Sequence, residues 1–340
     1  MIEINQYLKN LLDNFNPYII SVEDKKIIDR GLKNFITQKI FAKKFRKRKL
    51  DAMNVLDIEN KIGLSIKRKE SIHFIIFFGG YKHFWNQSAP ESDWAEIFTL
   101  NFLSEWVAPV LASYEPGVVI EFVSEDWILE RMDNYKAEDL EKYCQSFSLL
   151  IENFNKHLPK NFKFKLTRLG DKFNKDKMLE AVEEKLPEGY QRWKNLSEED
   201  KEIELKRSSR SVILKADEDV NRVIESRIVE LAYYDVESQK EFSGDYFTVD
   251  NYIYISFSFG LSQDNIDNWL TLGSTYASNV DFWVGRGVLE ENNNNFVNRI
   301  VSREQYLKIK DCLQTKETDF GKIEIISQEN WKNTIVNIKE

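Results

Sequence analysis

Between residues 71 and 171, short apolar runs alternate with much longer helical patterns, and this alternation sharply limits the folds open to the chain. Ile72–Phe78 is a compact β-type run ending in Gly79-Gly80. Asp93–Ala112 then repeats apolar residues at helical spacing through Ile97, Leu100, Phe102, Leu103 and Val107. Pro116-Gly117 punctuates, Val118–Val123 is a second run, Ala137–His157 a second helix, and Phe162–Leu166 a third run. Antiparallel strands can be joined by a tight turn, whereas helices of this length between strands imply right-handed parallel crossovers. The expectation is an open α/β sheet, with Pro109 kinking or shortening the first long helix.

The flanks read differently. Ile4, Leu8, Leu11, Leu12 and Phe15 recur at helical spacing before Pro17, and Ser21 with Asp24 resembles a capping box ahead of Ile27 and Ile28. Residues 1–70 are therefore expected to form a helical cap. After residue 171 comes a charged helical stretch, Lys172–Arg207, with a break expected at Pro187-Glu188-Gly189, and then an amphipathic helix over Asp217–Tyr233. Tyr252–Phe259, Val280–Leu289, Phe296–Val301 and Gly321–Ile326 read as strands. The asparagines Asn292–Asn295 read as a hairpin connection, because Asn tolerates positive φ, and Ser302 with Gln305 as a helix cap. The whole is expected to be a Rossmann-like parallel sheet over 71–171, with the helical cap on one side. A β-containing C-terminal lobe, 172–340, closes over the strand ends.

Charge and composition exclude several functions. With 48 Lys and Arg against 56 Asp and Glu the net charge is −8, which disfavours whole-surface binding to nucleic acid or anionic lipid. Residues 39–49 are the local exception, carrying Lys39, Lys43, Lys44, Arg46, Lys47, Arg48 and Lys49 and no acidic residue. No apolar run approaches the ~18–20 residues that cross a bilayer, and Met1–Phe15, with Glu3 and Asp13, does not read as a cleaved signal. Two cysteines and three scattered histidines offer neither a disulfide framework nor a metal site. No phosphate-binding loop, dinucleotide fingerprint, zinc-protease or hydrolase motif is present. A cytoplasmic protein acting on a small molecule without a redox cofactor is expected.

In an open parallel sheet, ligands bind beyond the carboxyl ends of the strands. After the first strand come Gly80, Tyr81, Lys82, His83 and Trp85, which combine backbone freedom, a cation, an imidazole and rings that stack on planar ligands. Asp93 and Glu96 open the next helix. Acidic residues there ordinarily complement the helix dipole, yet the two also share a face on which a lysine and a carboxylate can poise a proton. Glu125 and Asp126 follow the second strand and Arg168 the third, where a guanidinium can fork onto a carboxylate or phosphate. In the C-terminal half, Arg286 between Gly285 and Gly287 marks close approach by a ligand or by another backbone.

Residues 76–130 resemble the pyoverdine/dityrosine biosynthesis family, the isonitrile synthases. The stretches that carry the likeness are Phe77-Phe78-Gly79-Gly80-Tyr81-Lys82, Glu91-Ser92-Asp93-Trp94-Ala95-Glu96, Tyr114-Glu115-Pro116-Gly117 and Ser124-Glu125-Asp126. His83 stands where that family has Ser, and Trp127 where it has Gly. The resemblance implies a Rossmann-like core and a reaction that condenses the amine of an amino acid with a ketose phosphate. It also implies that Lys82 binds or activates the sugar phosphate or the imine, with Asp93, Glu96 and Asp126 as acid/base or orienting carboxylates. The expected catalytic group is Lys82, His83, Glu96 and Asp126, and the expected substrate contacts are Gly80, Tyr81, Trp85, Asp93, Glu125 and Arg168. Two other functions fit the same residues. One is a non-catalytic metabolite sensor using the same crevice; the other is a nucleotide transferase whose Glu125 and Asp126 hold a divalent metal.

Overall fold

A computed structural model describes the chain except for residues 1–2, 14–17, 46–51, 80–89, 210, 238, 244–245, 247–248, 257–269, 273–284, 294 and 336–340, and the side chains of 13, 52, 207, 240, 243 and 335. Four helices come first: α1 (Ile4–Asp13), α2 (Val22–Arg30), α3 (Leu32–Ile40) and α4 (Ala52–Arg68). The Ser21 hydroxyl accepts from Asp24 N–H and the Asp24 carboxylate accepts from Ser21 N–H, so the expected capping box opens α2. Lys39, the first cation of the basic stretch, lies 2.7 Å from buried Asp24 and over the Tyr18 and Phe35 rings. It is committed to holding the helices together.

The parallel sheet follows: β1 (Ile72–Phe78), α5 (Trp94–Ser113), β2 (Val118–Ser124), α6 (Leu129–Asp133), α7 (Ala137–Asn155) and β3 (Phe162–Arg168). Then come α8 (Leu169–Lys172), α9 (Lys175–Asn195), α10 (Glu198–Ser208), α11 (Val220–Glu237) and α12 (Lys240–Ser243) before β4 (Tyr252–Ser256) and β5 (Leu270–Thr271). The strand order is β3-β2-β1-β4-β5 and every pairing is parallel, as the helical crossovers require. Side chains alternate between the faces. Phe74, Ile76, Ile120, Phe122, Phe162 and Phe164 join one core with α1, α3, α5 and α7, while Ile75, Val123 and Phe77 turn to a second with α9 and α11. The order changes direction between β1 and β4, which places the crevice of a Rossmann-like sheet beyond their carboxyl ends.

A second, mixed sheet has the order β7-β6-β9-β8, with β6 (Arg286–Asn292), β7 (Asn295–Val301), β8 (Gln314–Thr318) and β9 (Gly321–Ser327), plus helices α13 (Arg303–Ile309) and α14 (Gln328–Ile335). Leu289, Phe296, Ile323 and Ile325 of this sheet bury into the same core as α5 and the N-terminal helices. The Asn turn is as expected: β6 and β7 pair in register down to Asn292 with Asn295, and Asn293 takes φ 48°.

Two expectations about proline are corrected. α5 runs through Pro109 to Ser113, so of the expected kinking or shortening it is the shortening that does not occur. α9 runs unbroken through Pro187 and Gly189, because α9 lies against α11 there: a Cβ at Gly189 would sit 3.0 Å from the Ile228 carbonyl oxygen. One lost helical hydrogen bond at Pro187 is outweighed by burying Met178 and Val182 against α11.

Candidate functional site

Alternation along β2 splits its carboxyl end into two polar groups, one on each side of the sheet. On the α7 side, Ser124 donates to Asp126 Oδ1 at 2.6 Å, and Arg168 Nη2 lies 2.7 Å from Asp126 Oδ2. Arg168 Nη1 reaches Glu141 Oε2 of α7 at 2.6 Å, with Asp171 Oδ2 at 3.7 Å. The guanidinium is thus shared among acidic groups from β2, α7 and α8 and ties the ends of β2 and β3 together. Arg168 pulls the Glu141 carboxyl below the usual range, outweighing its partial burial. Burial, with the Asp126 charge adding to it, pushes the Cys144 thiol up to about 12, so this cysteine is no thiolate at neutral pH.

On the opposite side lies Glu125. Its backbone N–H donates to the Phe78 carbonyl at 3.0 Å, fixing it where β1 hands over to the Gly80–Trp85 segment. Its carboxyl faces Glu237 at the end of α11, with Tyr233 one helical turn earlier beside both. Burial raises the Glu125 carboxyl well above the usual range, and the neighbouring Glu237 charge raises it further. Burial also raises Glu237, and the closeness of the two carboxyls favours the protonated form of the pair.

Asp93 and Glu96 are placed at the N-terminus of α5, where the sheet meets the C-terminal lobe. The Asp93 carboxylate accepts from Ala95 N–H at 2.7 Å and Gly287 N–H at 3.0 Å, while Glu96 accepts from Asp93 N–H at 2.8 Å and from the Tyr143 hydroxyl at 3.4 Å. Both are buried. The capping box is complete, and Arg286 lies 3.8 Å from Asp93 while donating to Glu324. The close approach marked by the glycines around Arg286 is made by backbone: a Cβ on Gly287 would fall 2.1 Å from the Ala95 nitrogen.

Further down the sheet, Glu121 accepts from Tyr246 at 2.6 Å and Thr167 at 2.7 Å, and lies 2.8 Å from His73 Nε2. Burial pushes this carboxyl up, but the bonds from His73, Thr167 and Tyr246 prevail and hold it at about 2.

Of the residues expected from the sequence, Asp126 and Arg168 meet directly, Glu125 sits on the other side of the same strand end, and Asp93 with Glu96 form a separate buried group. Gly80, Tyr81, Lys82, His83 and Trp85 lie outside the described residues. Glu237 and Tyr233 are the site residues missing from the sequence reading. Their signal was the i, i+4 spacing of an acid and a phenol on an amphipathic helix, cut short because that helix was expected to stop at Tyr233. Among the described residues no three His, Cys, Asp or Glu side chains converge as metal ligands, and no helix is long and apolar enough to cross a membrane.

Neither a protein-family model nor a curated protein sequence matches the chain. A solved structure does: the PvcA protein from Pseudomonas aeruginosa is similar with a TM-score of 0.57 at 14% identity, over 89% of this chain and 99% of that one. The distant resemblance read from residues 76–130 is therefore borne out as a likeness of fold that extends through both flanking regions.

Proposed function

We propose that the chain is an isonitrile-synthase-like enzyme that joins an amino-acid-like substrate to a sugar phosphate in the crevice beyond the carboxyl ends of the parallel strands. The observation that carries this reading is a desolvated carboxyl with a raised pKa, Glu125, at the end of β2 beside Asp126, which Arg168 at the end of β3 holds in place. A passive sensor has no need of such a group, whereas amine attack on a carbonyl requires an acceptor for the ammonium proton and a donor for the departing water. Support comes also from the resemblance of residues 76–130 and from the fold shared with PvcA. Arg168 acts as a positioning residue, fixing Asp126 at the rim, and Lys82 holds the phosphate or the imine.

The test is turnover of amino acids with ketose phosphates, followed by mass spectrometry. Wild-type protein forms a condensation product, and Lys82→Met abolishes it with the melting temperature nearly unchanged. Binding without any product makes the chain a metabolite-binding protein, and a large loss of stability in Lys82→Met makes that lysine structural.

A further inference from the structure

A hollow of about 990 Å³ opens between α1, the last turn of α7 and the tip of the β8–β9 hairpin, where α7 leads towards the start of β3. A space of this size accommodates a small molecule with room to bury most of it. Two of its walls are held in place. Asn153 Nδ2 donates to the Asp319 carbonyl at 3.0 Å, which pins the hairpin tip to α7. Within the tip the Thr318 hydroxyl donates to the Gly321 carbonyl at 2.7 Å and accepts from Phe320 N–H at 3.2 Å, and the Phe320 ring stands 6.1 Å from the His157 ring. The hollow is therefore built into the fold.

Its floor is apolar. Leu8 and Leu12, 2% and 3% exposed, share one side of α1, and the surface they keep lines the hollow together with half-buried Phe320. The cations come from two helices: Lys9 from α1, Lys156 and His157 from the end of α7. Cations at a helix end complement its dipole, which accounts for Lys156 and His157 but not for Lys9, which lines the same hollow. Lys156 Nζ donates to Asn153 Oδ1 at 2.8 Å, a neutral partner that fixes the ammonium without cancelling its charge. Asn153 thus positions both the hairpin tip and the cation.

Two acidic residues, Glu3 and Asp319, complete the charges of the lining. They stand singly, one before the start of α1 and one on the hairpin tip, whereas Lys156 and His157 are consecutive and held by Asn153 and Phe320. The gathered charge is positive, so the head of a ligand is anionic. The two carboxylates offset the two ammonium groups, which leaves too little positive charge to repay the desolvation of a dianion. A single carboxylate with an apolar body meets both the head group and the floor. We propose that this hollow is a binding site for an amphipathic carboxylate, its body on Leu8, Leu12 and Phe320 and its head at Lys9, Lys156 and His157. The site lies apart from the crevice of the proposed reaction, so its ligand is distinct from the substrates and the inference stands independently of that reading.

The test is calorimetric titration of the full chain with dodecanoate, dodecyl phosphate and dodecylammonium, each below its micelle concentration. Wild-type protein is expected to bind about one dodecanoate and to bind the other two at least ~10-fold more weakly. Lys9 and Lys156 are exposed, so the double variant Lys9→Gln with Lys156→Gln keeps the melting temperature and weakens dodecanoate at least ~10-fold. Phe320→Ser, which removes apolar contact and leaves the charges, weakens it as well. Absence of dodecanoate binding overturns the site. So does dodecylammonium or dodecyl phosphate bound as tightly as dodecanoate, or dodecanoate affinity unchanged in the double variant.

Discussion

Arg168 donates twice to one oxygen of Asp126, from Nη2 at 2.7 Å and from Nε at 3.2 Å, and gives its remaining nitrogen, Nη1, to Glu141. A planar fork makes this geometry and an ammonium cannot. Arg168→Lys should therefore leave Asp126 and Glu141 facing each other incompletely neutralised and lower stability by ~1–3 kcal/mol in urea titration. Arg168→Lys as stable as wild type would show that the pair is incidental.

The junction of α5 with β6 has no room for a methyl group. Gly287→Ala should cost more than ~3 kcal/mol or prevent folding, since the new Cβ would meet the Ala95 nitrogen and the Trp94 backbone carbon 2.1 and 2.5 Å away. At Gly321, where nothing lies within 4 Å, alanine has only the φ of +101° to contend with and should cost far less. Comparing the two melting temperatures separates contact from backbone strain.

Asp133 gives the fold a pH dependence of unusual sign. Burial pushes its carboxyl up to about 7, against the 2.6 Å bond from Ser226 and the charge of Arg222. Because the folded pKa is raised, the stability it contributes is complete below pH ~4 and lost as the pH climbs to about 7, at roughly 1.4 kcal/mol per unit. Asp133→Asn should flatten that slope and be more stable than wild type at pH 8. An unchanged urea midpoint across that range in both proteins would contradict this.

Glu121 works in the opposite direction. With its folded pKa held at about 2, its contribution is present at neutral pH and lost as the pH falls from the usual carboxylate range toward that value. Glu121→Gln should be destabilised by ~1–3 kcal/mol at pH 7, through the loss of His73 and Tyr246 as charge-assisted partners, and should match wild type near pH 2. Parallel acid-unfolding curves would argue against the pairing.

The regular elements were legible where apolar periodicity and punctuation agreed. Ile72–Phe78 was read to the residue, and β2 and β3 to within two residues, because buried parallel strands are continuous apolar runs bounded by turns. Helix interiors were harder. Pro187 and Gly189 looked like a break, because nothing local announces that Ile228 of α11 will be held against them. The hairpin strand Gln314–Thr318, mostly exposed and polar, carries no apolar alternation and was not foreseen.

Within the site, residues next to strand ends could be named in advance, since topology brings them together whatever their packing. Glu237 could not. It lies more than a hundred positions from Glu125, and only the folded helix α11 brings the two carboxyls face to face.

A crystal soaked with an amino acid and a ketose phosphate addresses the location of the site most directly. The chain offers a rival hollow of about 990 Å³ between α1 and the end of α7, lined by Lys9, Leu12, Asn153, Lys156, His157 and Phe320, at the opposite end of the sheet from Glu125. Ligand density beyond the carboxyl ends of the parallel strands, near Glu125 and Asp126, is the expected result. Density confined to the α1–α7 hollow would contradict the account.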